Sequence, residues 1–128
     1  MAQNILIVDD SRTMRMVIQK CVLLSGFEVG NFWEAGDGQE ALVALRAHKV
    51  DLILSDLNMP RMNGIEMFKE LQRDETLRHI PVLFITTLGD EKIMKEASDL
   101  GIKAYLQKPF HPEKIREILR RAMEKNIV

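Results

Sequence analysis

The stretch that decides the fold is DLILSDLNMP, residues 51–60. Its apolar run reads as a buried strand, and Asp56 follows just before a turn that contains Pro60. A carboxylate at the end of a buried strand costs free energy unless a cation or hydrogen bonds compensate its charge. We therefore expect a central strand here and a functional role for Asp56.

Apolar runs of strand length alternate with segments of helical period along the whole chain. The predicted strands cover residues 4–8, 28–34, 51–55, 81–86 and 103–107. Helices are predicted around residues 14–22 and over 37–49, 63–74, 90–101 and 111–125. Strands that are apolar throughout are typical of a parallel sheet covered by helices on both faces. The pattern predicts a doubly wound α/β fold with five strands and five helices, in a single domain spanning residues 1–128.

Composition excludes several classes of protein. The chain has 128 residues, a formal net charge of −1 and one cysteine, Cys21. This balance argues against a general nucleic-acid or anionic-membrane binder, and against a disulfide framework or a cysteine-based metal cluster. The sequence shows no signal peptide and no membrane-spanning apolar run, so we expect a cytoplasmic protein.

Chemically reactive side chains follow the carboxyl ends of the predicted strands, where the functional crevice of a doubly wound sheet lies. They are Asp9, Asp10, Asp56, Thr86, Thr87 and Lys108. If the first and third strands are neighbours, three carboxylates converge, and each pair about 4 Å apart repels by about 4 kcal/mol at an effective dielectric near 20. Mg²⁺ is the hard cation that such oxygens suit, and a lysine and a hydroxyl complete a phosphoryl-transfer site. An aspartate can itself be the nucleophile in such a site.

Four segments resemble the signature segments of response-regulator receiver domains, and the opening is similar to that of the CheY-like chemotaxis regulators. They are ILIVDDSRTMR, DLILSDLNMPRMNG, VLFITT and AYLQKPF, in this order along the chain. The resemblance implies a flavodoxin-like sheet of strand order 2-1-3-4-5. It also implies a phosphoprotein of a two-component signal-transduction system rather than an enzyme, one that catalyses only its own phosphorylation and dephosphorylation.

The same resemblance implies a role for each site residue. Asp56 would accept a phosphoryl group from a sensor histidine kinase. The Mg²⁺ ligands would be Asp10 and Asp56 directly, Asp9 through water, and Asn58 through its backbone carbonyl. Thr86 would move to bond the phosphoryl oxygen and Lys108 would pair with it. Tyr105 would then change its packing, and the Lys108–Pro109 bond is typically cis in this family.

Partners also follow from the resemblance. A downstream protein would bind the surface of the fourth helix, fifth strand and fifth helix, with Lys92, Lys95 and Tyr105 as candidate contacts. We expect a monomer without nucleic-acid or membrane partners, and no output domain, since the chain ends soon after the fifth helix. Thr87 and Leu88 depart from the most familiar family pattern, which leaves the phosphoryl lifetime open.

Three alternatives stay open at this point. One is an intermediate receiver in a multistep phosphorelay. A flavodoxin-like cofactor carrier would need a hydroxyl- or glycine-rich phosphate loop after the first strand, where this chain has DDSRT. A phosphatase of the haloacid-dehalogenase type would need an Asp-x-Asp arrangement there, whereas here the two acids are adjacent.

Overall fold

The computed structural model describes residues 2–86, 91–102, 105–107 and 111–127. Five strands alternate with five helices along the chain. The strands are β1 (Gln3–Val8), β2 (Val29–Ala35), β3 (Leu52–Asp56), β4 (Val82–Thr86) and β5 (Tyr105–Gln107). The helices are α1 (Arg12–Leu24), α2 (Gly38–Ala47), α3 (Gly64–Arg73), α4 (Glu91–Asp99) and α5 (Pro112–Ile127).

The strands form one parallel sheet of order β2-β1-β3-β4-β5, which confirms the predicted fold. β1 and β3 are direct neighbours, with Ile5 opposite Leu52 and Val8 opposite Ser55. Their carboxyl ends therefore lie side by side. One strand boundary near the acidic residues differs from the sequence prediction. Asp56 is the last residue of β3 and pairs with Ile85 of β4, whereas the prediction placed it just after the strand.

Each face of the sheet has its own core because successive side chains of a strand point to opposite faces. Ile5 and Ile7 lie in the core shared with α1 and α5, which includes Ile18 and Leu119. The alternate strand residues lie in the core shared with α2 and α3. That second core contains Leu6, Val8, Ile53, Ala41, Leu45, Met67 and Leu71. Helices cover both faces, so the central strands are apolar throughout.

Local capping fixes where the helices begin. Asp37 caps α2 by accepting a hydrogen bond from the Glu40 amide at 2.9 Å. Asn63 and Glu66 form the predicted capping box at the start of α3, with reciprocal bonds of 2.9 and 3.0 Å. Each cap satisfies amide groups that have no partner within the helix.

Within the ranges that the structure describes, no helix combines the length and apolar character needed to cross a membrane.

Candidate functional site

Three carboxylates meet at the carboxyl end of the sheet, as the strand pattern predicts. Asp9 directly follows β1, Asp10 follows it, and Asp56 ends the neighbouring strand β3. One oxygen of each carboxylate lies within 4.8 Å of an oxygen of the other two. Asp9 is buried, Asp56 is half-buried and Asp10 is exposed, so the cluster opens to solvent on one side.

The backbone after β1 holds Asp9 in place. Its Oδ1 accepts a hydrogen bond from the Ser11 amide at 2.9 Å, and Ser11 in turn caps α1. Arg15, on the first turns of α1, donates from Nη1 to the Asp9 carbonyl at 2.6 Å and from Nε to Glu34 at 3.0 Å. These bonds tie the acidic loop to both α1 and β2, which limits how far Asp9 can turn.

The loop after β3 folds closely around the end of the strand. The Asn58 amide donates to Asp56 Oδ1 over a long 3.4 Å, and the Gly64 amide donates to the Leu57 carbonyl at 3.0 Å. A Cβ on Gly64 would lie only 2.5 Å from the Asp56 carbonyl oxygen. Only a glycine lets the start of α3 approach the end of β3 this closely.

The donor set of this cluster fits a hard divalent cation. Carboxylate oxygens at a partly hydrated edge are the ligands that Mg²⁺ takes, and Mg²⁺ keeps several waters of its own. Asp10 and Asp56 are accessible to such an ion, whereas the burial of Asp9 suits a role in orienting waters or neighbouring ligands. Like charges this close are stabilised by a bound cation.

Comparison with known proteins identifies the family. Residues 5–120 match the sequence model of the response regulator receiver domain. This chain belongs to the receiver-domain family. It is similar to chemotaxis protein CheY-3 of Vibrio cholerae, with 39% identity over 95% of this chain and 92% of that protein.

Two further relatives agree with this assignment. The chemotaxis protein CheY of Pseudomonas aeruginosa is 37% identical over 95% of this chain and 97% of its own length. The crystal structure of the chemotaxis response regulator CheY4 of Vibrio cholerae superposes with a TM-score of 0.78 at 33% identity, covering 95% of this chain and 99% of that one. The receiver domain is thus matched over nearly its whole length in sequence and in fold.

The remaining predicted site residues of this receiver domain are described only in part. Thr86 ends β4, and its backbone pairs with Gln107 of β5. The Thr86 side chain, Thr87, Leu88, Lys108 and Pro109 lie outside the described residues. The roles predicted for them, including the cis bond before Pro109, stay predictions.

Tyr105 occupies a half-buried position at the start of β5. Its ring packs against the cluster of apolar residues between the sheet and α4, and its hydroxyl donates to the Ile102 carbonyl at 3.0 Å. Burial raises the pKa of the Tyr105 hydroxyl above its usual value of 10.0. Lys92 and Lys95 are exposed on α4, so the surface predicted to meet a partner is accessible there.

Sequence reasoning missed Arg61. Its guanidinium bonds Asp37 Oδ2 from Nε at 2.5 Å and Glu40 Oε2 from Nη2 at 3.0 Å. Burial by itself raises the pKa of Asp37, but hydrogen bonds from the Glu40 amide and from Arg61, together with the charge of Arg61, outweigh burial and lower it. The sequence marks Asp37 as a helix cap and gives no sign of a partner 24 residues away.

Proposed function

We propose that this receiver domain is a stand-alone response regulator of the chemotaxis type, activated when a histidine kinase phosphorylates Asp56. The observation that carries the proposal is the cluster of Asp9, Asp10 and Asp56 at the carboxyl end of a receiver-domain sheet. The CheY relatives support the stand-alone role because this chain covers 92% and 97% of their lengths. A cytoplasmic location is part of the same proposal.

In the proposed reaction, a carboxylate oxygen of Asp56 attacks the phosphorus of a phosphohistidine on the kinase. An O–P bond forms as the N–P bond breaks, and the electron pair of that bond stays on the histidine nitrogen. Mg²⁺ held by Asp10, Asp56 and the Asn58 carbonyl would neutralise charge on the phosphoryl oxygens. Asp9 would orient this site through water, in keeping with its burial.

Signalling would follow from a shift between two arrangements of one surface. The phosphoryl group would draw in the Thr86 hydroxyl and pair with Lys108, and Tyr105 would exchange its bond to the Ile102 carbonyl for a more buried position. Because Tyr105 lies beside α4, this change would alter the face formed by α4, β5 and α5. A downstream protein would then bind the phosphorylated form.

The test is the intact mass of the purified protein after incubation with acetyl phosphate and Mg²⁺. We expect one added phosphoryl group in the wild type and none in Asp56→Asn. Asp99→Asn, which makes the same change of charge on α4, is the matched control and should be phosphorylated like the wild type. An unchanged wild-type mass, or an equal adduct in Asp56→Asn, would refute the assignment.

The role of the phosphorylated form can be tested separately by its partners. Immobilised phosphorylated and unphosphorylated protein are compared for binding to a purified chemotaxis target and to a purified histidine-containing phosphotransfer protein. Tighter binding of the target by the phosphorylated form supports the proposal. Rapid transfer of the phosphoryl group to the phosphotransfer protein, without target binding, would instead favour an intermediate relay role.

A further inference from the structure

The loop 57–63 connects the phosphoryl-acceptor strand to α3 and is fastened to a second helix, α2. Arg61 bonds both Asp37 and Glu40, at 2.5 and 3.0 Å, and the Gly38 amide donates to the Met62 carbonyl at 2.9 Å. We call the side chains of Arg61, Asp37 and Glu40 the loop clamp. It joins the loop that leaves Asp56 to the N-terminal turn of a helix that is remote in sequence.

The clamp joins a buried group to an exposed one. The Asp37 side chain is 0% exposed, whereas 62% of the Arg61 side chain is exposed. A fully buried carboxylate requires a cation or several hydrogen bonds, and Arg61 supplies a cation across the loop. The second carboxylate, Glu40, bonds Arg61 with one oxygen and the Gly36 amide with the other, at 3.0 and 3.1 Å.

The backbone of Arg61 is also unusual. Its φ of 62° lies in the left-handed region, where glycine and asparagine are common and long side chains are not. An arginine at this position accepts backbone strain that a glycine would avoid. Such an outlier persists where surrounding interactions over-determine it, and these outliers cluster at functional sites.

We infer that Arg61 is a positioning residue for the acidic cluster: by pinning the loop 57–63 to α2, it holds the Asn58 backbone against the Asp56 carboxylate and so sets the affinity for a divalent cation. The inference rests on the proposed function, in which that cation is Mg²⁺. The Asn58 amide lies 3.4 Å from Asp56 Oδ1, a bond too long to hold the loop by itself. Arg61 fastens the same loop to α2 three residues after Asn58.

The charge of Arg61 and its positioning role predict opposite changes in Mg²⁺ affinity when Arg61 is replaced. Loss of a positive charge near an acidic cluster strengthens its attraction for a cation. Loss of the clamp frees the loop, so the ligands must be ordered when the ion binds, and the affinity falls. A weaker Mg²⁺ complex after loss of a cationic side chain is therefore specific to positioning.

The experiment measures the Mg²⁺ dissociation constant of the full chain by calorimetric titration. Arg61→Asn removes the clamp and keeps a residue that tolerates the left-handed backbone. We expect this variant to bind Mg²⁺ about tenfold more weakly, which is the lower end of the range for loss of a group that orients metal ligands. Arg61→Lys should recover part of the affinity. Arg73→Gln makes a similar change of charge in an exposed ion pair with Glu70 and should bind Mg²⁺ like the wild type.

A second variant leaves the charges unchanged. A Cβ on Gly38 would lie 2.6 Å from Met62 Cγ and 3.0 Å from Met62 Cβ, so Gly38→Ala should displace the same loop from α2. We expect it to weaken Mg²⁺ binding as well, and it decides the matter if Arg61→Asn does not fold. Far-UV circular dichroism of each variant establishes which of them are folded.

The outcomes separate the two proposals. If the wild type binds Mg²⁺ and folded Arg61→Asn and Gly38→Ala bind it equally or more tightly, the inference about Arg61 is wrong and the proposed function stands. If Arg73→Gln loses as much affinity as Arg61→Asn, the loss does not depend on the loop clamp and the positioning role of Arg61 is refuted. A wild type that neither binds Mg²⁺ nor accepts a phosphoryl group refutes the proposed function, and the inference with it.

Discussion

Gly64 begins α3 directly behind the end of β3, and adding one methyl group there tests the packing around the acidic cluster. A Cβ at this position would lie 2.5 Å from the Asp56 carbonyl oxygen, 2.8 Å from Phe84 Cε1 and 3.2 Å from Leu57 Cα. Two of these three atoms belong to the backbone, which cannot move without disturbing the centre of the sheet. We predict that Gly64→Ala destabilises the fold.

The magnitude follows from two opposing effects. Opening the contact to an ordinary van der Waals distance requires a shift of roughly 1 Å, and overpacking of this kind costs about 1–3 kcal/mol. The upper end applies because the obstructing atoms lie between β3 and α3. The better helix propensity of alanine returns up to about 1 kcal/mol. The net loss is about 2 kcal/mol, which corresponds to a fall in Tm of about 6–10 °C for a domain of this size.

The assay is urea denaturation followed both by far-UV circular dichroism and by the fluorescence of Trp33, the only tryptophan. Gly36→Ala is the matched control, because its Cβ would meet only the flexible carboxylate end of Glu40, at 3.1 Å. We expect the control to lose no more than about 0.5 kcal/mol. Equal losses in the two variants, or a loss below about 0.5 kcal/mol in Gly64→Ala, would refute the packing argument.

Four further predictions concern charge, capping, titration and metal binding. Because the pKa of Asp37 is lowered in the fold, its ionised form contributes stability that is present above the ordinary value of 3.8 and is lost as the pH falls through the lower folded value. Asp37→Asn should therefore flatten the acid limb of a plot of unfolding free energy against pH, and an unchanged limb would contradict the role of Arg61 as its partner. Asn63→Ala removes the capping box of α3 and should cost about 1 kcal/mol in the same denaturation assay, whereas a neutral result would mean that water replaces the cap. Phenolate absorbance of Tyr105, the only tyrosine, should appear at a higher pH than that of free tyrosine, since burial raises its pKa, and titration at or below the ordinary value of 10.0 would argue against the half-buried position. Mg²⁺ at ten times the dissociation constant of the wild type should stabilise the wild type by about 1.4 kcal/mol in thermal denaturation. A similar gain in Asp10→Asn at the same Mg²⁺ concentration would exclude Asp10 as a ligand.

Much of the site could be predicted from sequence because its main parts lie at strand ends. Parallel neighbouring strands bring their carboxyl ends to one edge, so Asp9 and Asp56 meet once β1 and β3 are adjacent. The helix caps at Asp37 and Asn63 were also predictable, since a cap depends on residues three positions apart. These features follow from short-range patterns and from one assumption about strand order.

The features of the site that the sequence did not predict arise from contacts between segments that are distant in sequence. The family resemblance implies different roles for Asp9 and Asp10, but no local sequence pattern predicts that Asp9 is buried and Asp10 is exposed. The side chains of neighbouring residues leave the backbone in different directions, and the packing of α1 and β2 decides which of them water reaches. Asp37 likewise serves as a cap by its local sequence and as the buried partner of Arg61 by its position in the fold.

The sequence by itself therefore determined the order of elements, the apolar faces and the acids that end the strands, because hydrophobic periodicity and capping act over a few residues. Only the tertiary structure decided which carboxylate is buried and that the loop after Asp56 is fastened to α2. The reason is physical: burial and ion pairing depend on which surfaces meet in space, and the sheet order β2-β1-β3 brings the loops that carry Asp37 and Arg61 to the same edge.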